Sequence, residues 1–360
     1  MGTDASEMLR SERFQELDSD YSALQLKFER GKISEEDLRV AFRVFYPTDR
    51  NLAAKFDGWV SAYPKSYVAR LARAIYNKKV GFEDRGENFI SETSDTQLQN
   101  MDTALGKAIK DFGDSIAMTP KPFLSYFHMI DIGRAYAGPS YTRMLFDHAL
   151  SLAPQSLAVR EKFMVALEAR WGGSLEEMQQ FLDECRHASL PAAQLKQLQA
   201  LAYEEEGWER ENYDGNHAAA EAAYRKAAEL DGPSCCVISD LAAILIEEGK
   251  YADAITYLDR HLKSKPADTK ALANRGAAYY QSGKPLEAIA DWTLSAAAGD
   301  DFSQNRLGVL YMTGIPGRLP PDPNRGIGLL RESAAQGNAE AQHNLALALG
   351  QIAAPKSAAP

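Results

Sequence analysis

Cysteine is scarce in this 360-residue chain, which has three. Cys185 stands alone and Cys235 and Cys236 are adjacent, an odd total without the paired C-x-x-C spacing of a structural zinc site. The thiols are expected to pack as small apolar residues. Long apolar runs are missing as well. No stretch approaches the roughly 18 to 20 residues that a spanning helix requires, and no charged, apolar, then small-residue leader opens the sequence. A cytoplasmic protein without a membrane partner is expected. The start "MGTDAS" fits a loose acylation pattern, but Asp4 and the lack of a nearby basic cluster leave it without a second membrane signal.

Positive charge is also in short supply: 40 Lys and Arg face 50 Asp and Glu, a formal net charge of −10. Up to Pro154 the count is near balance, 20 basic against 22 acidic, so most of the excess lies beyond it. An acidic surface repels phosphate backbones and no basic stripe with interleaved aromatics appears, so nucleic acid is not an expected partner. The motifs of familiar enzymes are absent too: no G-x-S-x-G, no H-E-x-x-H, no dinucleotide fingerprint. The six histidines are scattered, and Cys185 and His187, two apart, point to different faces of a helix. Acid pairs such as Glu35-Glu36, Glu205-Glu206 and Glu247-Glu248 read as solvated helix faces. No catalytic residue, cofactor or metal is assigned, and the chain reads as no enzyme.

What is present is a repeat. "SDLAAILIEEGKYADAITYLDRHLKSKP" is followed by "ANRGAAYYQSGKPLEAIADWTLSAAAGD". Ala242 falls on Gly276, Leu245 on Tyr279, Gly249 on Gly283, Ala254 on Ala288, Leu258 on Trp292 and Pro266 on Asp300. Each pair is separated by the roughly 34-residue period of a helix-turn-helix unit. Small residues let the two helices of a unit approach, and large ones a turn away fill the space beside them. Gly249 and Gly283 suit the left-handed geometry that ends a helix, and Pro266 forbids continuation.

These units resemble tetratricopeptide repeats. The next, "NRLGVLYMTG" with "DPNRGIGLLRESAAQGNAEAQHNLALAL", resembles the longer-looped Sel1-like repeat, and an earlier degenerate unit supplies Ala220, Tyr224 and Ala227. The resemblance implies an all-α fold, an α-α superhelix, with the array over 191–351 and a disordered tail over 352–360.

Upstream the sequence is helical but irregular. Ser34 with Asp37, and Ser94 with Gln97, have capping-box spacing. Amphipathic stretches cover about 20–30, 35–45, 50–62, 66–79, 95–116, 121–136 and 140–152, and nothing alternates with period two long enough for a sheet. Residues 1–14 are expected to be flexible. "FDGWVSAYPKSYVARLARAIYNKKVGFEDRG" and the later "RWGGS" resemble an uncharacterised bacterial helical domain often joined to such repeats, with Phe82 where that family carries Trp. This domain of unknown function spans roughly 15–190 and brings no assigned activity.

Within "EARWGGSLEEMQQF", Gly172-Gly173-Ser174 reads as a corner between helices. One glycine takes a left-handed C-cap, and Ser174 with Glu177 forms the next N-cap. No strand precedes the glycines, as a phosphate loop would require.

Partner-binding candidates come from two places. From Gly207 to Ala220 the turn is longer than elsewhere, and its inserted "WERENYDGN" carries Trp208 and Tyr213. "TGIPGRLPPDPNRG" lengthens a later turn, and edge loops are frequent partner sites. Resemblance to tetratricopeptide proteins further implies that first helices face a groove, placing Ser239, Glu247, Lys270, Asn274, Tyr280, Gln281, Asn305 and Arg306 there. Lys270, Asn274 and Arg306 suit a peptide carboxylate. The expected function is a protein- or peptide-binding adaptor or scaffold. Two alternatives stand beside it: a dedicated inhibitor or immunity protein neutralising one toxin or enzyme, and an enzyme with its site in the N-terminal domain near Arg70, Arg85 or His128.

Overall fold

The structure, a computed structural model, describes residues 5–86, 93–230 and 235–353. Nineteen α-helices and no strand occur among the described residues. The chain divides into two compact units, Met1–Gln194 and Leu195–Pro360.

The first unit contains α1 (Ala5–Arg10), α2 (Phe14–Glu29), α3 (Glu35–Phe42), α4 (Ala53–Ala62) and α5 (Tyr67–Arg85). It continues with α6 (Asp95–Ile116), α7 (Phe123–Tyr136), α8 (Gly138–Leu152), α9 (Leu157–Ala166) and α10 (Leu175–His187). Seven of these follow the amphipathic stretches seen in the sequence. The expected flexible start is corrected: from Ala5 the chain is helical, and Met8 and Leu9 are buried, so apolar burial holds this segment. Residues 1–4 lie outside the described residues. Ser34 and Ser94 close reciprocal capping boxes with Asp37 and Gln97, satisfying otherwise unpaired helix N–H groups. An aromatic core joins Tyr21, Phe42, Phe45, Phe56 and Trp59, with Tyr21 and Phe42 edge to face at 5.0 Å.

At the glycine corner, Gly172 has φ +86° and closes a 3-10 turn over Ala169–Trp171. Gly173 passes so close to Leu167 that a Cβ would lie 2.2 Å from the Leu167 carbonyl oxygen. Ser174 Oγ accepts from Glu177 N at 3.2 Å and donates to the Glu177 carboxylate at 3.1 Å. The segment is a helix corner with its polar groups used locally.

The second unit is a succession of helix hairpins: α11 (Ala192–Asn212) with α12 (His217–Glu229), α13 (Cys235–Glu247) with α14 (Tyr251–Ser264), and α15 (Thr269–Gln281) with α16 (Pro285–Ala297). The series ends with α17 (Asp301–Thr313), α18 (Pro323–Ala335) and α19 (Ala339–Ala353). Successive hairpins pack through α12 on α13, α14 on α15 and α16 on α17, and first helices touch as α13 on α15 and α17 on α19. This is an α-α solenoid of tetratricopeptide and Sel1-like units. Inside each hairpin a small residue admits a large one. A Cβ on Gly276 would lie 2.5 Å from the Trp292 indole, and on Gly308 2.7 Å from Leu330.

One turn differs from expectation, and another packs back on the protein. Gly207 is not a turn glycine but a helical one, where a Cβ would meet the Tyr224 ring at 2.5 Å. It is therefore the counterpart of Gly276, and the presumed insertion is a longer helix, α11, running to Asn212 before a tight turn at Gly215, φ +61°. The second insertion folds on itself: Ile315 and Leu319 exchange backbone hydrogen bonds at 2.7 and 2.9 Å and pack on the cluster around Trp292 and Tyr311. Polar ties reinforce the stack. Arg275 Nε and Nη2 donate to Asp291 at 2.8 Å and Nη1 donates to Asp259 at 2.7 Å, joining α14, α15 and α16. Cys185, in the first unit, is buried with its thiol pKa pushed up by burial, whereas the side chains of Cys235 and Cys236 and the tail beyond Ala353 lie outside the described residues.

Candidate functional site

Helix α15 carries the densest group of expected binding residues. Lys270, Asn274 and Gln281 follow at i, i+4 and i+11, which aligns them on one face. Lys270 and Gln281 are exposed and Asn274 is half-buried, with the small Ala277 between them. Asn274 Nδ2 donates to the Ser239 carbonyl at 3.2 Å, tying α15 to α13. Lys270 has no ion-pair partner among the described residues. Tyr280, 45% exposed, sits at the same end of the helix, its ring 5.6 Å from the Trp292 ring.

With Gly308 set on Gly276, Arg306 takes the register of Asn274. It pairs with Glu340 at 3.1 Å and lies over the Phe302 ring at 4.9 Å, both charges being about half exposed. Such a surface pair is worth less than about 1 kcal/mol, so Arg306 is readily diverted to another carboxylate. Asn305, one residue earlier, faces inward. It is fully buried, its Oδ1 accepts from Asn344 Nδ2 at 2.9 Å, and its own Nδ2 finds no acceptor. Ser239 shares that inward register and is buried, while Glu247 is exposed. The expectation that Asn305 and Ser239 face solvent is thus corrected by one step of helical phase.

Trp208 and Tyr213 meet edge to face at 5.2 Å at the end of α11, Tyr213 64% exposed and Trp208 half-buried. They form a pair on a helix end rather than on a projecting loop, some distance in sequence from the α15 stripe.

In the first unit Arg70, Arg85 and His128 do not converge. Arg70 pairs with Asp111 and Asp114, and Arg85 lies 5.9 Å over the Trp171 ring. His128 belongs to a buried polar cluster whose other members were not singled out in the sequence. Lys78 Nζ lies 3.0 Å from His128 Nδ1 and 2.5 Å from Asp131, and Lys162 pairs with the other Asp131 oxygen. Burial pushes the Lys78 pKa down and, against the pull of Asp131, brings Lys162 to about 7. Burial and the two lysines hold His128 well below its ordinary value. Burial acts to raise Asp131, but Lys162, Lys78 and Arg134 outweigh it and hold the carboxyl well below the usual range. These partners come from α5, α7 and α9, so no local spacing signals them. No group of three or more His, Cys, Asp or Glu able to hold a metal occurs among the described residues. No helix among them is long and apolar enough to cross a membrane.

A helical unit followed by stacked tetratricopeptide and Sel1-like hairpins defines a helical-repeat protein. A family model described as "Domain of unknown function (DUF4034)" matches residues 2–148 and 144–205, together more than half of the chain. The chain belongs to that family. Among solved structures it is similar to a Sel1 repeat protein from Oxalobacter formigenes, with 20% identity, TM-score 0.45, and coverage of 66% of this chain and 93% of that one. It is also similar to a protective antigen of uropathogenic Escherichia coli displaying an SLR fold, at 14% identity and TM-score 0.46, covering 97% of this chain and 83% of that one. No curated protein matches significantly in sequence.

Proposed function

We propose that this is a non-enzymatic adaptor or scaffold, acting in the cytoplasm, which binds a protein or peptide through the first-helix face of its repeats. In this reading the helical domain spans about 15–190 and the repeats 191–351. One observation carries it: Lys270, Asn274 and Gln281 share one face of α15, Lys270 and Gln281 exposed at its two ends and Asn274 half-buried between them. An extended peptide presents a carbonyl or amide every few ångströms, and amide side chains along a helix face match both. Lys270, together with an Arg306 only weakly held by Glu340, supplies charge-assisted bonds for a carboxylate. Trp208 and Tyr213 offer a second, aromatic contact at α11.

The test is a peptide array probed with the full chain and with Lys270→Glu and Arg306→Glu variants, folding being checked by thermal melting. A set of peptides retained by the native chain and lost by both variants supports the reading. Binding of an identical set by all three proteins contradicts it.

A further inference from the structure

Helix α5 ends at Arg85, and α7 carries Arg134 in its last turn. Both guanidinium groups settle on the indole of Trp171, their central carbons 5.9 and 4.6 Å from the ring centroid. The turn that presents this indole is fixed by the glycine corner, where Gly172 takes φ +86° and Gly173 abuts the Leu167 carbonyl. Arg85 lies in the first of the two stretches that resemble the uncharacterised helical domain and Trp171 in the second, so those stretches meet here.

The lack of an acceptor sets these two arginines apart. Every other arginine of the first unit that is buried or half-buried has one. Arg13, Arg39, Arg70, Arg73 and Arg143 pair with carboxylates, and Arg160 donates to the Pro154 and Ser156 carbonyls. Arg85 and Arg134 are half-buried, and neither guanidinium has a hydrogen-bond or ion-pair partner among the described residues. Arg134 Nε is shut away from solvent without an acceptor, so an incoming anion must meet the terminal nitrogens.

The carboxylates at hand are engaged. Asp131, one turn before Arg134, is shared by Lys78 and Lys162. Glu168, three residues before Trp171, pairs with Arg170 at 2.5 Å, and Asp102 accepts from the Tyr136 hydroxyl at 2.5 Å. A guanidinium stacked on an indole is held in advance of binding, and its planar fork of donors matches the oxygens of a carboxylate or phosphate. Charge chooses between them. Two guanidinium groups without a counter-ion match a dianion, and a phosphate monoester carries about −1.5 to −2 at pH 7, whereas a carboxylate or a nucleic-acid phosphate carries a single charge.

We propose that Arg85 and Arg134, arrayed on Trp171, form a binding site for a phosphate monoester group.

Titration calorimetry of the full chain at fixed ionic strength, with inorganic phosphate, a phosphoserine peptide and acetate, tests this. Inorganic phosphate is expected to bind with one-to-one stoichiometry and at least tenfold more tightly than acetate. Arg85→Gln and Arg134→Gln should each weaken it tenfold or more, and Arg85→Gln decides alone if R134Q melts early. Arg30→Gln removes an equal charge from the exposed end of α2 and should leave binding unchanged. A phosphoserine peptide bound tenfold more tightly than inorganic phosphate, and weakened by R85Q, would place the group on a phosphorylated side chain. Equal or weaker affinity for the peptide would assign the site to a free phosphate compound. Absence of saturable heat with both phosphate ligands, acetate bound as tightly as phosphate, or an R30Q loss as large as the R85Q loss would each overturn the proposal.

Discussion

Gly276 and Trp292 are in direct van der Waals contact across the α15–α16 hairpin. The indole Nε1 donates to the Ala273 carbonyl at 3.0 Å, and the ring edge occupies the space a Cβ on residue 276 would need, 2.5 Å away. The indole is held on one side by its hydrogen bond and on others by a buried shell, so it has nowhere to withdraw.

Gly276→Ala should therefore destabilise the second unit by about 1 to 3 kcal/mol, the usual cost of overpacking, despite alanine's better helix propensity. Gly328→Ala is the matched control. It too lies mid-helix, in α18, but a Cβ there meets nothing within 4 Å. That variant should gain roughly 0.5 to 1 kcal/mol. Chemical denaturation of both checks the contrast, and equal shifts in one direction would refute the packing account.

The repeat was legible because this contact is periodic: one small and one large residue recur at a fixed interval, and the interval survives substitution of Gly by Ala or Trp by Leu. Gly207 was misread for a related reason. A glycine near a helix end suits a turn as well as a close approach, and only the Tyr224 ring on the next helix distinguishes them. The inward phase of Asn305 was lost because Asn suits both a solvated face and a buried amide bridge. The Lys78–His128–Asp131–Lys162 cluster was out of reach, since its members come from three helices with no sequence interval to mark them.

The glycine corner gives a second paired test. Gly173→Ala would drive a methyl to 2.2 Å from a backbone oxygen, which has no rotamer to escape through, whereas Gly172 needs only its φ of +86° and has open space. Gly172→Ala should cost about 1 to 2 kcal/mol from the left-handed backbone alone, and Gly173→Ala should cost more because the corner itself must move. Thermal melting of the two variants ranks them, and the reverse order would sink the assignment.

The buried cluster distinguishes its members by what each removal leaves behind. Lys78→Met takes one cation away and leaves Asp131 paired with Lys162, so the change should be small or stabilising. Asp131→Ala leaves two buried ammonium groups facing each other beside Arg134, and removal of one partner from a buried pair costs about 3 to 5 kcal/mol. Denaturation midpoints should show the aspartate variant far below the lysine variant. A K78M protein as unstable as D131A would mean that Lys78 is held by something other than that carboxylate.

The same cluster sets a pH dependence whose sign follows from Lys162. Its folded pKa of about 7 lies below the ordinary lysine value near 10.4, so between those limits the unfolded chain carries more protons than the folded one. Stability must then rise with pH across that window, by up to about 1.4 kcal/mol per pH unit from this group. Below pH 7 the two states carry equal charge at Lys162 and its contribution levels off. His128 adds an acid limb: it is held neutral in the fold, so stability falls as the unfolded chain protonates below about pH 6.5. Asp131, held well below the carboxylate range, loses its stabilising charge only when pH falls through that depressed value. Melting temperature between pH 7 and 9 should thus climb in the native chain and climb less steeply in Lys162→Met, whose side chain keeps the contact with the Phe127 ring without a titrating amine, while Lys78, also pushed down by burial, keeps its own share of the rise. Parallel profiles for the two proteins would show that Lys162 remains fully protonated in the fold.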